Sequence, residues 1–276
     1  MKLISWNTAK RVSRAEHQAV ALLERRPDIV ALQEVNRRSL SILMNRLAAG
    51  GLNHVVSAVP LETKDSQARA IGVVIASRFP VSPVADGLTL STWPEKCATA
   101  LVESPLGPVE VNTVHVPPGA SHGWEKIRVF EAVYQSLARA SSTHRILCGD
   151  FNSPQAELET GEVVCWGKRL TKGGQWQLRR TRRGGSGLEW EQGEASVLVG
   201  LREFDLNDVF RRVNGYGAPA FSIEMKRRST VTRRRFDHIF ASESLGAVSC
   251  NYLHELREDG LSDHAPIEAL FSGSQG

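Results

Sequence analysis

The chain has 276 residues, of which 41% are hydrophobic and 23% charged, and its formal net charge is +4. This composition is typical of a globular protein with one large domain or two small ones, and it excludes a low-complexity chain. No apolar run approaches the roughly 20 residues that a membrane span requires. The first residues lack a signal-peptide pattern, so a cytoplasmic protein without membrane contact is expected. The cysteines are too dispersed for a zinc site or a disulfide framework, at positions 97, 148, 165 and 250.

Apolar runs alternate with segments of helical periodicity along the chain. We predict strands at residues 3–6, 29–34, 54–58, 71–76, 98–103, 109–115, 145–148, 236–241, 248–253 and 267–271. We predict helices at about residues 13–24, 38–48, 124–139 and 206–212. The alternation favours a single mixed α/β domain over residues 1–276, with sheet layers inside and helices outside.

Residues 161–200 interrupt this pattern. The segment is rich in glycine and carries Trp166, Trp176 and Trp190, and residues 165–193 hold seven Lys or Arg against two acids. We predict a basic insertion, either long and mobile or a short hairpin. Its tryptophans could stack on nucleic-acid bases or pack into a small core of the insertion itself.

Basic residues are concentrated in the C-terminal half of the chain, in residues 179–183, 226–228 and 233–235. Such clusters favour binding to polyanions through steering and counterion release. The alternative is solvated loop charge that only aids solubility. Because the clusters flank the candidate catalytic segments, a phosphate-rich substrate is the preferred interpretation.

Polar side chains follow or begin six apolar runs, a pattern that places them at the ends of buried strands. These segments contain Asn7, Glu34, His115, Asp150 with Asn152, Asp237, and Asp263 with His264. A carboxylate to activate water, an amide to hold an oxyanion and a histidine to neutralise phosphate charge are sufficient for metal-assisted phosphoester hydrolysis. Taken singly, each could be an ordinary turn, surface or structural residue, but the combination favours a catalytic site.

In this order the six segments resemble the endonuclease/exonuclease/phosphatase superfamily, over nearly the whole chain. The resemblance implies a four-layered α/β sandwich, with two packed mixed β-sheets flanked by helices and the site at one rim. It also implies a divalent metal, Mg²⁺ or alternatively Mn²⁺. By this resemblance Glu34 is the principal metal ligand, Asn7 lies beside it, and Asp263 lies near the metal.

The same resemblance implies the catalytic roles. Asp150 would orient or deprotonate the attacking water, and Asn152 would hydrogen-bond the scissile phosphate. His264, buttressed by Asp237, would contact a phosphate oxygen. His115 stands where apurinic endonucleases have a tyrosine, and it resembles the general-acid histidine of the deoxyribonuclease and sphingomyelinase branches. His115 and His264 would then flank one phosphate.

Other segments indicate which kind of substrate the protein binds. Residues 208–211 resemble a stretch of exonuclease III, but Ile223 replaces the aromatic residue that packs against an abasic sugar, which argues against abasic-site specificity. We predict phosphate contacts for Arg69, Arg211 and Arg235. A pair of basic loop residues such as Arg69 and Lys64 is also commonplace on a protein surface.

These observations together predict a divalent-metal-dependent phosphodiesterase that acts on nucleic acid. The expected substrate is DNA, cleaved by an endonuclease or exonuclease through water attack on a metal-bound phosphate. The alternatives are a phosphatase or phospholipase C-like hydrolase of the same superfamily and, as a third hypothesis, an inert nucleic-acid-binding scaffold. No protein partner is implied.

Overall fold

The chain forms two six-stranded mixed β-sheets that pack face to face. The computed structural model describes residues 1–60, 71–84, 87–227 and 230–273. The first sheet, ordered β17-β18-β1-β2-β4-β3, contains β1 (Lys2–Asn7), β2 (Ile29–Asn36), β3 (His54–Ser57), β4 (Ile71–Ser77), β17 (Ala247–Tyr252) and β18 (Ile267–Phe271). The second, ordered β13-β16-β8-β7-β6-β5, contains β5 (Val81–Ser82), β6 (Cys97–Ser104), β7 (Gly107–His115), β8 (His144–Asp150), β13 (Asn207–Asp208) and β16 (Asp237–Ala241).

Helices and small hairpins complete the described part of the chain. The helices are α1 (Ala15–Glu24), α2 (Arg37–Ala49), α3 (Gly119–His122), α4 (Glu125–Leu137), α5 (Gly187–Leu198), α6 (Val209–Asn214) and α7 (His254–Glu258). Three two-stranded hairpins pair β9 (Ala156–Glu157) with β10 (Val163–Val164), β11 (Lys168–Leu170) with β12 (Trp176–Leu178), and β14 (Ile223–Arg227) with β15 (Thr230–Arg234). Within these ranges no helix has the length and apolar character needed to cross a membrane.

The central strands of each large sheet are buried on both faces, and this explains the nearly unbroken apolar runs in the sequence. In β1, Leu3 joins Val111 of the second sheet in the core between the sheets. Its neighbour Ile4 points the other way and packs with Leu22 of α1 and Leu43 of α2. Strands of this kind cannot alternate apolar and polar residues, because neither face meets water.

The outer face of the second sheet is covered in the same manner. Phe130 of α4 and Val197 of α5 share a buried cluster with Leu147 of β8 and Phe240 of β16. The molecule is therefore layered as helices, sheet, sheet and helices. This confirms the predicted four-layered α/β sandwich.

Each sheet contains one central parallel pair, β1 with β2 and β7 with β8. Their outer neighbours β18 and β16 run antiparallel to β1 and β8. The carboxyl ends of the parallel strands and the amino ends of β16 and β18 therefore meet at one rim of the sandwich. Polar residues at those strand ends are brought together there.

Residues 161–200 form ordered structure, with the hairpin β11–β12 followed by α5. The hairpin agrees with one of the two predicted forms, but α5 was not predicted. Its amino end is a capping box, in which the Ser186 Oγ accepts from the Glu189 backbone N–H and Glu189 accepts from the Ser186 backbone N–H. A Cβ on Gly193 would lie 2.7 Å from the Ile127 Cγ2, so this glycine allows α5 to lie close against α4. Trp190 is fully buried, which favours the core alternative for this tryptophan.

Removing the capping hydroxyl should destabilise α5. We expect Ser186→Ala to lower the free energy of unfolding by about 1 kcal/mol, because an N-cap replacement leaves a backbone N–H without its partner. Ser196→Ala in the same helix is the control, since the Ser196 Oγ only donates to the Gly193 carbonyl inside the helix. Urea unfolding of both variants measures the difference, and equal stabilities would contradict a capping role.

Candidate active site

The rim of the sandwich collects the side chains at the strand ends. Asn7 ends β1, His115 ends β7 and Asp150 ends β8. Asp237 begins β16 and lies in register with Asp150, as does His115 from the other side. His264 lies just before β18, and its backbone carbonyl accepts a hydrogen bond from the Trp6 indole at 2.9 Å. The fold thus joins residues that are more than 250 positions apart in the chain.

Glu34 reaches this rim through an irregularity in β2. The pairing of β2 with β4 shifts register between Leu32 and Val35, which is a β-bulge, and Glu34 has a φ of +54°. This left-handed conformation is uncommon for a residue other than glycine. Bulges re-aim a side chain at the edge of a site. Sequence reasoning placed Glu34 at the end of the strand, whereas β2 continues to Asn36.

Asp150 lies at the centre of the cluster and is buried. Its carboxylate accepts hydrogen bonds from the Asn7 Nδ2 and from the Asn152 backbone N–H, both at 2.8 Å. Burial raises the pKa of Asp150 to about 7, against the opposing effect of the His264 charge. A carboxylate with such a pKa can take up a proton near neutral pH.

His264 is paired with a second buried carboxylate. Its Nδ1 lies 2.7 Å from the Asp237 Oδ2, and its Nε2 lies 4.0 Å from the Asp150 Oδ2. The Tyr252 hydroxyl donates to the Asp237 carbonyl at 2.6 Å and so anchors the strand end. Burial lowers the pKa of His264, but the Asp237 and Asp150 carboxylates outweigh burial and raise it to about 10. The imidazole is therefore positively charged at neutral pH.

His115 is the second histidine of the rim and has a different charge state. Its Nε2 lies 3.5 Å from the Glu34 Oε1, and its Nδ1 lies 3.4 Å from the Lys96 Nζ. Burial and the neighbouring Lys96 lower the pKa of His115 well below its ordinary value. The two histidines predicted to flank one phosphate therefore differ in their pKa, which is raised at His264 and lowered at His115. Their contact with a phosphate stays a prediction.

The oxygen atoms of Glu34 fit a hard cation. Their described polar neighbours are all loose, with the Asn7 Nδ2 at 3.4 Å, the His115 Nε2 at 3.5 Å and the Lys10 Nζ at 3.7 Å. The Glu34 side chain is 18% exposed, so a cation can reach it from solvent. Carboxylate and amide oxygens are the ligands that Mg²⁺ prefers. The Glu34 carboxylate therefore fits the implied metal, whereas Asn7 turns its Nδ2 toward Glu34 and Asp150 and its Oδ1 accepts from the Ala9 backbone N–H.

Two other parts of the rim are less suitable for a metal than Glu34. They are the cluster of Asp150, Asp237 and His264, and the exposed Asp263. Asp150, Asp237 and His264 come within 4.8 Å of one another, close enough to share an ion. However, the Asp237 Oδ2 and the His264 Nδ1 already hydrogen-bond each other. Asp263 is exposed beside His264, and the Ser262 hydroxyl lies 3.5 Å from its Oδ1. Asp263 thus borders the cluster without entering it.

The sequence of the chain identifies the protein family to which it belongs. The sequence profile of the endonuclease/exonuclease/phosphatase family matches residues 4–264. The chain belongs to this family. No curated protein sequence matches the chain significantly.

Solved structures share the fold of this family member. An AP endonuclease from Archaeoglobus fulgidus has a TM-score of 0.69 and 19% identity, with 99% of each chain covered. A 3′ phosphatase from Neisseria, bound to product DNA hairpin, has a TM-score of 0.65 and 23% identity, with 99% of each chain covered. A 3′-5′ exonuclease from Neisseria meningitidis has a TM-score of 0.62 and 22% identity, covering 99% of this chain and all of the other.

Two arginines predicted to bind phosphate are held by carboxylates in the structure. Arg211 and Arg235 both pair with Glu157, at 2.8 and 2.6 Å, and Arg235 also pairs with Asp208. Both arginines are buried. These ion pairs give the guanidinium groups a structural position, and their phosphate contacts stay a prediction. Arg69, together with Lys64, lies outside the described residues, and its contact stays a prediction.

Lys96 is a site residue that sequence reasoning did not single out. It directly precedes β6, whose first residue Cys97 lies in register with Val114. Because β6 runs antiparallel to β7, a residue just before β6 must lie beside the end of β7, where His115 is found. Recognising this would have required the strand pairing, which a lone lysine before an apolar run does not reveal.

The ion pairs of Glu157 should make stability depend on pH. Burial alone would raise its pKa, but Arg235 and Arg211 lower it from 4.5 to about 2. A depressed pKa contributes stability above pH 4.5 that is lost as the pH falls toward 2. The shift corresponds to about 3 kcal/mol at neutral pH. We expect Glu157→Gln to lower the free energy of unfolding by an amount of this order at pH 7, and by progressively less below pH 4.5.

Urea unfolding between pH 3 and pH 7 measures this dependence. Glu159→Gln is the matched control, since Glu159 is exposed two residues away and should give a difference near zero at every pH. A destabilisation by Glu157→Gln that stays constant over this range would contradict the assignment.

Proposed function

We propose that this protein hydrolyses nucleic-acid phosphodiester bonds, with DNA as the substrate and Mg²⁺ as the cofactor. The observation that carries the proposal is the arrangement of Asp150 and the His264–Asp237 pair at one rim, beside the loosely held oxygens of Glu34. It combines a proton acceptor, a fixed positive charge and a cation site in one small space. Membership of the endonuclease/exonuclease/phosphatase family supports the same chemistry.

Each of the following residues has a separate role in the proposed reaction. Asp150 orients the attacking water and takes up its proton as the water oxygen bonds to phosphorus. The bond to the leaving oxygen then breaks, and His115 is the proposed hydrogen-bond donor to that oxygen. His264, charged and held by Asp237, contacts a non-bridging phosphate oxygen, where negative charge increases in the transition state.

Asn152 and the cation complete the site. The Asn152 Nδ2 donates to the Val116 carbonyl at 2.9 Å, which fixes the plane of the amide, and lies 3.3 Å from Asp150. We assign the hydrogen on the Asp150 side to the scissile phosphate. Glu34 would hold Mg²⁺, with Asn7 beside it and Asp263 nearby, and when bound the cation would neutralise charge on the phosphate.

Two basic hairpins beside the site favour a polyanionic substrate. The base of β14–β15 is hydrogen-bonded to the site, because the Ser222 hydroxyl accepts from the Asp237 backbone N–H and the Ser222 carbonyl accepts from Ala265. The base of β11–β12 lies on the other side, where the Trp166 indole donates to the Asn152 carbonyl. Lysines and arginines on both hairpins can contact the backbone of a nucleic acid.

A phosphomonoester at a DNA end is the second candidate substrate. The observation that favours it is the fold shared with the 3′ phosphatase from Neisseria, which was solved with product DNA. The same residues would serve, because only the leaving group differs. A substrate panel separates the two hypotheses.

The panel uses purified protein with Mg²⁺ or EDTA on plasmid, single-stranded DNA, abasic duplex, a 3′-phosphorylated duplex, RNA and sphingomyelin. We expect DNA cleavage that stops in EDTA. Release of phosphate from the 3′-phosphorylated duplex, without strand cleavage, would favour the phosphatase. Turnover of the lipid, with every nucleic acid left intact, would refute both DNA hypotheses.

A single substitution tests the role of Asp150. We expect Asp150→Asn to lower kcat by at least about 100-fold, since it removes a general base. Fluorescence anisotropy should show DNA binding close to that of the wild type, because binding depends on the basic hairpins. Asp259→Asn, at an exposed carboxylate after α7, is the control and should be fully active. Unchanged cleavage by Asp150→Asn would refute the assigned role, whereas a wild-type protein that binds DNA without cleaving it would favour the inert scaffold.

A further inference from the structure

A buried ion pair lies directly beneath the proposed phosphate site. Lys126 of α4 and Glu194 of α5 both have 0% exposure, and the Lys126 Nζ lies 2.9 Å from the Glu194 Oε1. Lys126 is on the face of α4 that carries the core residues Ile127 and Phe130. An apolar residue would be expected at such a position, so the lysine requires an explanation beyond packing.

The ammonium group of Lys126 contacts the segment after Asp150. Its Nζ donates to the Asn152 carbonyl at 2.8 Å and to the Ser153 hydroxyl at 2.6 Å. The ion pair with Glu194 holds the ammonium in place. Lys126 therefore connects the helical layer directly to the backbone of Asn152.

Trp166 makes a second connection to the same carbonyl. Its indole N–H donates to the Asn152 carbonyl at 3.0 Å, while its backbone N–H donates to the Glu194 Oε2 at 2.8 Å. Glu194 thus orders both groups that bind the Asn152 carbonyl. Lys126, Glu194 and Trp166 form one connected unit, which we call the carbonyl clamp.

The conformation of Asn152 explains what the carbonyl clamp holds. Asn152 has a φ of +49°, in the left-handed region that residues other than glycine rarely adopt. Such a conformation persists only where the surroundings impose it. It places the backbone N–H of Asn152 on the Asp150 Oδ1 and its side-chain amide on the Val116 carbonyl.

A buried ion pair is a poor source of stability, since its desolvation offsets most of the attraction between the charges. Its retention is better explained by the one conformation that it enforces. We propose that Lys126, ordered by Glu194, is a positioning residue that holds Asn152 in the left-handed conformation and so orients its amide toward the scissile phosphate. This inference rests on the proposed function, because it assigns the amide to a phosphate.

The test removes the two charges together, because the loss of Lys126 alone would leave Glu194 buried without a partner. The variant is Lys126→Met with Glu194→Gln, in which glutamine keeps an acceptor for the Trp166 backbone N–H. We expect a folded protein with a melting temperature close to that of the wild type, a kcat about 30-fold lower and a KM within about threefold. The matched control is Arg128→Met with Glu125→Gln, which removes a surface ion pair from the same helix α4. It leaves the clamp intact and should retain kcat within about threefold.

Asn152→Ala shows whether Lys126 acts through Asn152. If it does, adding the two clamp substitutions to Asn152→Ala should not reduce kcat further, because the amide that they position is already gone. Multiplicative losses in the combined variant would overturn the proposal. So would a folded clamp variant with the kcat of the wild type, or one whose loss matches only its unfolded fraction.

A crystal structure of the clamp variant gives a readout that needs no activity. We expect the φ of Asn152 to leave the positive region or its amide to lose the Val116 contact. An unchanged Asn152 would overturn the positioning role, whatever the kinetics show. A wild-type protein without phosphoesterase activity would instead refute the proposed function, and the conformation of Asn152 in the variant would still decide the positioning claim.

Discussion

The structure depends on the packing of two sheets whose central strands are buried on both faces. Once helices cover the outer faces and the sheets cover each other, the central strands β1, β2, β7 and β8 are buried along almost their whole length. Polar side chains can reach a ligand where these strands end, and the two parallel pairs bring four such ends to one rim. The position of the site is thus a consequence of burial, and the same apolar residues that stabilise the sandwich confine its chemistry.

The electrostatics of the rim follow from the same burial. Burial raises the pKa of Asp150, and the Asp237 carboxylate raises it further, while the His264 charge lowers it only in part. The charge of His264 is retained because Asp237 supports it from behind. By contrast, Glu157 and Asp208 are almost neutralised by Arg211 and Arg235. The charges at the rim, around Asp150, are thus not fully neutralised by one another and can interact with a ligand. The charges around Glu157 are neutralised by their partners and stabilise the fold.

Much of this arrangement could be predicted from the sequence, because strand ends are visible as polar residues after apolar runs. Asn7, His115, Asp150, Asp237 and His264 were identified in this way, and the structure brings them together. Glu34 was identified as well, but its bulge was not, since a register shift depends on the partner strand. The carboxylate partners of Arg211 and Arg235 could not be predicted, because a cluster of arginines looks the same in sequence whether it faces a ligand or buried carboxylates. The helix α5 was hidden by its glycines, of which Gly193 allows close packing against α4 and Gly187 lies against the backbone of Arg179 and Gly167.

The attachment of the two basic hairpins has a consequence for how this fold changes over time. Each hairpin is bonded at its base to a residue of the rim, at Asp237 through Ser222 and at Asn152 through Trp166. The described strands of both hairpins lie outside the two six-stranded sheets and carry exposed side chains such as Arg169 and Val231. Mutations at these exposed positions are therefore free to accumulate without disturbing the rim. A lineage that inherits this scaffold can change the surface beside the rim by altering two short hairpins, while the rim itself passes on intact.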